Sequence, residues 1–490
     1  MNDSILYWAL LPEILAGAGG IFIVLLTPFL RGSRDRGSRL IPGLTLLILL
    51  GAMVALFTVA RDLPQSPMKE LSFSGDTFSL SFRFLLLLIC AVISLAARPF
   101  LEREEIFRGE FYALLLFIYL GMALLSGSQD LLSTFVGLEV LSIGCYILLG
   151  LKRSDLRANE AAWKYFLLGS ISSAFFLYGI AMVFGATGST RYADLFALMG
   201  SHSDKQATLL LNCGLALIFV GLAFKLALVP FHSWAADVYE GAPSLIVAFF
   251  STAPKVAAMA ALMRFFNFHF PRMHYSAGHF AGWIAVASMT LGNLAAISQQ
   301  NVKRMLAYSS IAHAGYMILA IFIDNETADT TLFIYLLAYS MMNLGAFLIL
   351  SLLSGKGDLC VSLHDLSGLA ERRPGLAALL SLFLLSLTGI PLTGGFTAKF
   401  YLFGSALKNG LVGLVIIAVL NSAVSAYYYL RPVVHMYMKP LPESPSPAEV
   451  PPVPIGFALA IGTAALAILW LGILPSFWLE FAEKVNLALK

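Results

Sequence analysis

Charge is what this 490-residue chain has least of. Only 12% of its residues are Asp, Glu, Lys or Arg, against about 25% in soluble domains. A water-soluble fold of this length could not cover its surface with so few charges, which excludes a soluble enzyme. The 31 basic and 28 acidic residues leave a net charge of +3, too small for a nucleic-acid surface. Cysteine is scarce as well. Cys90, Cys145, Cys213 and Cys360 form no CxxC pair, so neither a disulfide frame nor a metal cluster is implied. The chain has no GxxxxGK[S/T] loop, so ATP does not drive it, and no Rossmann fingerprint. A haem held by two buried histidines is excluded, because only His313 lies clearly at mid-membrane depth. The start, MNDSILYW, has no basic n-region, so the first span is expected to be retained.

What fills the chain instead is apolar. Hydrophobic residues make up 59% and the mean hydropathy is +0.83. Runs such as Leu44–Leu50 and Leu376–Leu387 do not alternate, which removes a transmembrane barrel and leaves helices. With about 20 residues per crossing, the expectation is an all-α polytopic membrane protein of about 14 spans. These are placed at 4–30, 40–60, 78–97, 111–127, 131–150, 162–186, 209–239, 244–266, 279–298, 305–323, 330–353, 375–408, 410–430 and 453–474. Seventeen Lys and Arg residues fall in the odd-numbered loops, against nine in the even loops and termini. That bias puts the odd loops in the cytoplasm and both termini outside.

Spans 7 and 12 are too long for one straight crossing. Pro230 interrupts the first, after Lys225; Gly389, Pro391, Gly394 and Gly395 interrupt the second, before Lys399. Two broken helices in corresponding positions point to an ion path at an inverted repeat. Spans 4–8 and 9–13 supply two sets of five, and five being odd, the second set runs upside down. The expected organisation is therefore 1–110, an N-terminal three-helix segment; 111–266, a first five-helix repeat; 279–430, a second, inverted one; and 431–490, a loop and last helix. Lys225 and Lys399 lie 174 positions apart, and the same step back from His313 reaches Glu139, although chance supplies many such steps.

Charges inside spans cost about 2.5–3.5 kcal/mol each on the mildest scale. Glu139, Lys225, Lys255 and Lys399 sit deep. Arg83 and Lys164 lie nearer span ends, where a long side chain snorkels to the surface, and Glu13 is expected to be structural. Span 10 adds Tyr308, Ser309 and His313, spans 11 and 13 add Tyr339, Asn343, Asn421 and Ser425, and His232 follows Pro230. Each group repeats at three to four residues and shares a helix face. The chemistry these residues suit is proton transfer: a lysine beside a movable carboxylate holds or releases its proton, and histidine, hydroxyls and water carry it onward. The competing structural readings are a static ion-pair network, a satisfied core histidine at 313, a carbonyl partner at His232, and ordinary helix–helix contacts for the polar stripes.

At FKLALVPFHSWAADVYEGAP and NVKRMLAYSSIAHAGYM the sequence resembles the antiporter-like subunits of respiratory complex I and the Mrp-type cation/proton antiporters, over roughly 80–476. Within the family it is similar to the N-type subunits: Lys399 stands where M-type subunits carry glutamate, the chain ends after span 14, and YILLGLKRSDLRANEAAWKYFLLGSISSAFFLYG matches that branch. The resemblance implies that Glu139 and Lys225 form the charge pair, Lys255 is the central connecting lysine and Lys399 the terminal exchange residue. Lys164 matches a further N-type lysine, and His313, Tyr308, Ser309 and His232 are supporting. It implies a bacterial inner-membrane subunit of a proton-translocating NADH:quinone oxidoreductase, with M- and K-type subunits and lipid as neighbours and no nucleic acid. NADH, flavin, iron–sulfur and quinone chemistry then lies in partner subunits, with no cofactor or metal in this chain. The alternative reading is an Mrp-type sodium/proton antiporter subunit driven by an ion gradient.

Overall fold

The computed structural model describes residues 8–30, 34–62, 73–106, 109–198, 205–268, 274–323, 328–355, 357, 362–440 and 452–480. Their regular structure is helical, with three isolated β-bridges. The main elements are α1 (Leu11–Leu30), α2 (Arg34–Asp62), α3 (Thr77–Arg103), α4 (Glu110–Gly127), α5 (Leu131–Leu149) and α6 (Leu156–Thr187). Then come α7a (Lys205–Leu226) and α7b (Ser233–Gly241), α8a (Ser244–Phe250) and α8b (Ala253–Met263), α9 (His274–Ile297), α10 (Val302–Ile318) and α11 (Ala328–Leu353). The last are α12a (Pro374–Thr388) and α12b (Gly394–Lys408), α13 (Val412–Met438) and α14 (Ile455–Ile473). Among the described residues eleven helical segments are long and apolar enough to cross a membrane; the apolar stretch Gly282–Ile297 within α9, together with α10 and α12a, is shorter. The chain is thus an all-helical polytopic protein of about eleven to fourteen apolar spans.

Polar residues set the helix starts. Asp76, Asp130, Asp155 and Asn301 each cap a helix by accepting from first-turn backbone N–H groups. Such caps satisfy donors that the helix leaves open. Residues 244–266 and α11 are almost wholly buried, whereas α1, α6 and α13 keep apolar faces outward. The centre of the molecule is therefore the eighth and eleventh segments.

The two expected breaks are present. Between α7a and α7b the backbone turns through Ala227, a non-glycine at φ +56°, and Pro230. Between α12a and α12b, Gly389 takes φ +94°, a left-handed conformation open to glycine. A third break was not anticipated: segment 8 opens at Ser251 and Thr252, with Pro254 in the first turn of α8b. The proline was visible in STAPK, but this span has ordinary length, so length gave no warning.

Close packing recurs at a fixed spacing. A Cβ on Gly121 of α4 would stand 2.5 Å from Leu141 N of α5, and one on Gly292 of α9 would stand 2.7 Å from Ala312 N of α10. Both pairs are 171 positions apart. The bridges Asp130–Arg191 and Asn301–Ser362 share that step, as do the caps Asp130 and Asn301. The step of 174 is therefore not the structural register in these helices. At 171, Glu139 corresponds to Ser310, and His313 to Ser142. Lys225 and Lys399 are not matched either: Lys225 lies before its break, Lys399 after its own.

Arg83 corrects another expectation. It does not snorkel. It is fully buried, its Nε donates to Glu13 Oε1 at 2.8 Å, and its Nη2 donates to Ala9 O at 2.9 Å. Tyr119 also donates to Glu13, at 3.1 Å. A carboxylate presented by α1 at the same depth stabilises the guanidinium more than a stretched path to the surface does.

Candidate functional site

Each break frees backbone groups that lipid cannot satisfy. Following who satisfies them leads to the polar residues. At the first break, Trp234 Nε1 donates to Phe224 O at 3.0 Å, and Ser288 Oγ accepts from Val229 N at 3.0 Å. Lys225, the penultimate residue of α7a, is 4% exposed and donates to Tyr165 Oη at 2.7 Å. Its Nζ also lies 4.8 Å from the Tyr165 ring centre and 5.6 Å from that of Tyr146, within range of a cation–π attraction. Phe224, Trp234 and Phe250 pack around the Tyr165 ring.

Glu139 is half-buried on α5 and accepts a short hydrogen bond from Ser173 of α6. Among the described residues no ion pair joins it to Lys225. The expected pair is thus held apart in this structure, with the carboxylate on a serine and the lysine on a tyrosine.

At the break in segment 8, Tyr339 donates to the freed Ser251 carbonyl at 3.2 Å. Lys255 follows in the first turn of α8b, 1% exposed. A cation there opposes the helix dipole. It is held by Ser310 of α10, whose carbonyl and Oγ each accept from Nζ at 2.9 Å. One turn on, His313 places Nδ1 2.8 Å from Tyr335 Oη and Nε2 3.2 Å from Tyr429 Oη. Tyr429 donates its proton to Ser309 Oγ at 2.6 Å, so it accepts from His313 Nε2–H, and Nδ1 accepts from Tyr335. The neutral Nε2–H tautomer satisfies every member of the group.

A further polar group joins α13, α9 and α10. Tyr428 donates to Asn293 Oδ1 at 2.9 Å, and Asn293 Nδ2 donates to Tyr316 Oη at 3.0 Å and Asn421 Oδ1 at 3.2 Å. The face of Tyr316 lies 5.5 Å from Lys399 Nζ. Lys399, 6% exposed on α12b, donates to Leu387 O at 3.0 Å, Thr388 O at 2.9 Å and Ser422 Oγ at 2.9 Å. It closes the break between α12a and α12b by capping carbonyls that α12a leaves open.

The structure brings Lys255, Ser309, His313, Tyr339, Asn421 and Lys399 into these interior polar groups. It does not bring Tyr308, which is half-buried under the Arg304 guanidinium, 5.8 Å away. Asn343 bonds only its own helix, through Tyr339 O at 3.4 Å, and Ser425 bonds Ser422 O on its own helix at 2.6 Å. His232 is half-buried where α7b begins, with Nδ1 unbonded. Lys164 sits in a surface charge network, paired with Glu160 at 2.8 Å and Asp237 at 3.1 Å; Arg304 pairs with Asp237 and Glu240, each at 2.8 Å. Sequence reasoning missed Tyr165, Ser173, Ser310, Tyr335, Tyr429 and Ser422. Tyr335 and Tyr339 alone gave a signal, being four apart on one helix face. Among the described residues no group of His, Cys, Asp and Glu could hold a metal ion.

Known proteins resemble this chain over most of its length. A family model described as NADH:quinone oxidoreductase/Mrp antiporter, TM, matches residues 128–425. NADH-quinone oxidoreductase subunit N 1 of Solibacter usitatus is 41% identical over 484 residues, covering 98% of this chain and 97% of that one. A chain of respiratory complex I from Thermus thermophilus superposes with a TM-score of 0.79 at 34% identity, covering 96% of this chain and 98% of that one. A chain of the Mrp complex from a Dietzia species shares the fold, with a TM-score of 0.84 at 22% identity and 97% of each chain covered. The fold is thus that of an antiporter-like membrane subunit. The chain belongs to the NADH-quinone oxidoreductase subunit N family.

Proposed function

We propose that this membrane subunit of NADH-quinone oxidoreductase carries protons across the bilayer along Glu139, Lys225, Lys255, His313 and Lys399. Redox chemistry in partner subunits drives it. The observation that carries the reading is the company kept by the three lysines. Each is buried beside a helix break, and each bonds only to neutral oxygens: Tyr165 for Lys225, Ser310 for Lys255, and two carbonyls with Ser422 for Lys399. A buried lysine with a carboxylate partner is trapped as an ammonium, because losing the proton strands the charge. A lysine on neutral oxygens exchanges its proton without breaking an ion pair.

In this reading Glu139 biases Lys225 by approaching or leaving it. The proton passes to Lys255, then through Ser310, Ser309, Tyr429, His313 and ordered water to Lys399, which releases it outward. Spans 4–8 and 9–13 act as two inverted halves, with both termini on the outer side of a bacterial inner membrane. M- and K-type subunits flank the chain. Lys164 tunes the charge at the cytoplasmic side through Asp237.

The test is proton yield. In the assembled complex reconstituted in liposomes, Lys225→Ala and Lys399→Ala should abolish or sharply reduce protons moved per electron, while NADH oxidation by an artificial acceptor persists. An unchanged yield in both refutes the relay. Exchange of Na⁺ for H⁺ by the purified chain without partners would instead establish gradient-driven antiport.

A further inference from the structure

The geometry points to a latent monovalent-cation site beneath Lys399: we propose that the cradle of Leu387 O, Thr388 O and Ser422 Oγ binds an alkali cation, K⁺ in preference to Na⁺, whenever the lysine ammonium is absent. The inference rests on coordination geometry and stands apart from the relay reading.

Three oxygens from two elements converge on one point at 2.9–3.0 Å. Two are carbonyls at the end of α12a, where the helix dipole places partial negative charge. Unwound carbonyls and half-helix C-termini are the groups that coordinate Na⁺ in transporters with broken helices, and carbonyl oxygens replace the hydration shell of K⁺ in channels. The Tyr316 face, 5.5 Å from Nζ, adds a fourth attraction that a bare cation also feels. The point is largely buried, with Lys399 6% exposed. The cradle thus has the donor set of a cation site, and the side chain of Lys399 supplies the cation on a tether.

Neither of the other lysines is held this way. Lys225 has a single phenol oxygen, and both Lys255 acceptors belong to one serine. Room for a free ion comes from Gly389, whose missing Cβ would stand 3.2 Å from Lys399 Cδ. Shortening the lysine empties the channel beside that glycine and leaves the oxygens in place. The spacing set for an ammonium suits K⁺; Na⁺ requires the oxygens to draw in.

The experiment is tracer Rb⁺ binding to the purified, assembled complex, with K⁺, Na⁺ or choline as competitor. Lys399→Ala is expected to gain one saturable site per complex relative to the unsubstituted protein, displaced by K⁺ at lower concentration than by Na⁺ and not by choline. Lys399→Ser is the second variant, in case Lys399→Ala does not assemble. Adding Ser422→Ala should weaken the gained site by about tenfold or more, the cost of one hydrogen-bond-strength contact to a charge. Lys399→Met, whose chain refills the cradle, should gain none. Assembled Lys399→Ala and Lys399→Ser complexes without a gained site overturn the proposal. So does an equal gain in Lys399→Met, which would place the ion elsewhere. Loss of proton pumping in these variants bears on the relay alone.

Discussion

Removing the Tyr165 hydroxyl isolates one bond of the first half of the molecule. Tyr165→Phe keeps the ring, and with it the contacts to Phe224, Trp234 and Phe250 and the aromatic face 4.8 Å from Lys225 Nζ. It deletes the one oxygen that Nζ bonds, at 2.7 Å. A hydrogen bond to a charged group contributes about 1.5–3 kcal/mol. The ammonium form of Lys225 loses that support in the variant, and its neutral form loses much less. At about 1.4 kcal/mol per factor of ten, occupancy by the proton falls about ten- to hundredfold wherever protonation is not saturated. The expected result in liposomes is a steep fall in NADH-driven proton uptake, with assembly and electron transfer to an artificial acceptor retained. Tyr146→Phe is the matched control, because only the Tyr146 ring faces Lys225, at 5.6 Å. Full pumping by Tyr165→Phe, or equal losses in both variants, refutes the assignment of the phenol as the lysine's partner.

Other substitutions test the scaffold. Glu13→Ala strands the fully buried Arg83 and should cost about 3–5 kcal/mol, read as a lower unfolding temperature of the purified complex; Glu13→Met with Arg83→Met together should recover most of it. A Cβ on Gly395 would fall 1.8 Å from Ser386 O, so Gly395→Ala should spread the second broken helix and reduce recovered complex, whereas Gly413→Ala, which meets nothing, should not. Acid should loosen the start of α3. Burial alone would push the Asp76 carboxyl up, but the bidentate Arg264 guanidinium at 2.8 Å, with Ser79 N–H and the Ser74 hydroxyl, holds it below the usual carboxylate range. Its contribution is therefore present above the unfolded value of about 3.9 and lost as pH falls through the folded value. Hydrogen exchange at residues 74–80 should rise on acidification in the unsubstituted complex, and should already be raised near neutrality in Asp76→Asn.

The residues that sequence reasoning placed well are those whose cost in lipid is high. A lysine in mid-span, or a proline and glycines inside an overlong apolar run, is conspicuous because hydrocarbon penalises it. The segments, two of the breaks, and the burial of Lys225, Lys255 and Lys399 could be read from the chain for that reason. Tyrosine and serine carry no such penalty, so Tyr165, Ser310, Tyr429 and Ser422 were indistinguishable from ordinary helix packing until the helices were placed. Tyr308 shows the converse error: it shares a helix with His313 but points toward Arg304, because residues five apart on a helix face different sides. Arg83 was misjudged because its partner lies seventy positions earlier, on a helix whose placement beside α3 the sequence does not state.

The register of 171 bears on the proposed relay. It aligns Asp130 with Asn301 as caps and Gly121 with Gly292 as contact points, so the backbones of α5 and α10 occupy like positions in their surroundings. On that scale the counterpart of Glu139 is Ser310, and Ser310 is the residue on which Lys255 rests. One structural position therefore carries a carboxylate in the first set and, in the second, the hydroxyl on which Lys255 rests. The carboxylate attracts an ammonium over a distance and can set its charge, which suits a control point. The hydroxyl accepts from Lys255 at 2.9 Å while giving its own proton to Ala307 O at 2.8 Å, so it holds the lysine without a countercharge, which suits a point of passage. A carboxylate at both positions would pin Lys255 as an ion pair, and a hydroxyl at both would leave Lys225 without a lever. In the proposed relay it is the difference between the two sets, rather than their likeness, that separates the point where a charge signal enters from the points where the proton moves on.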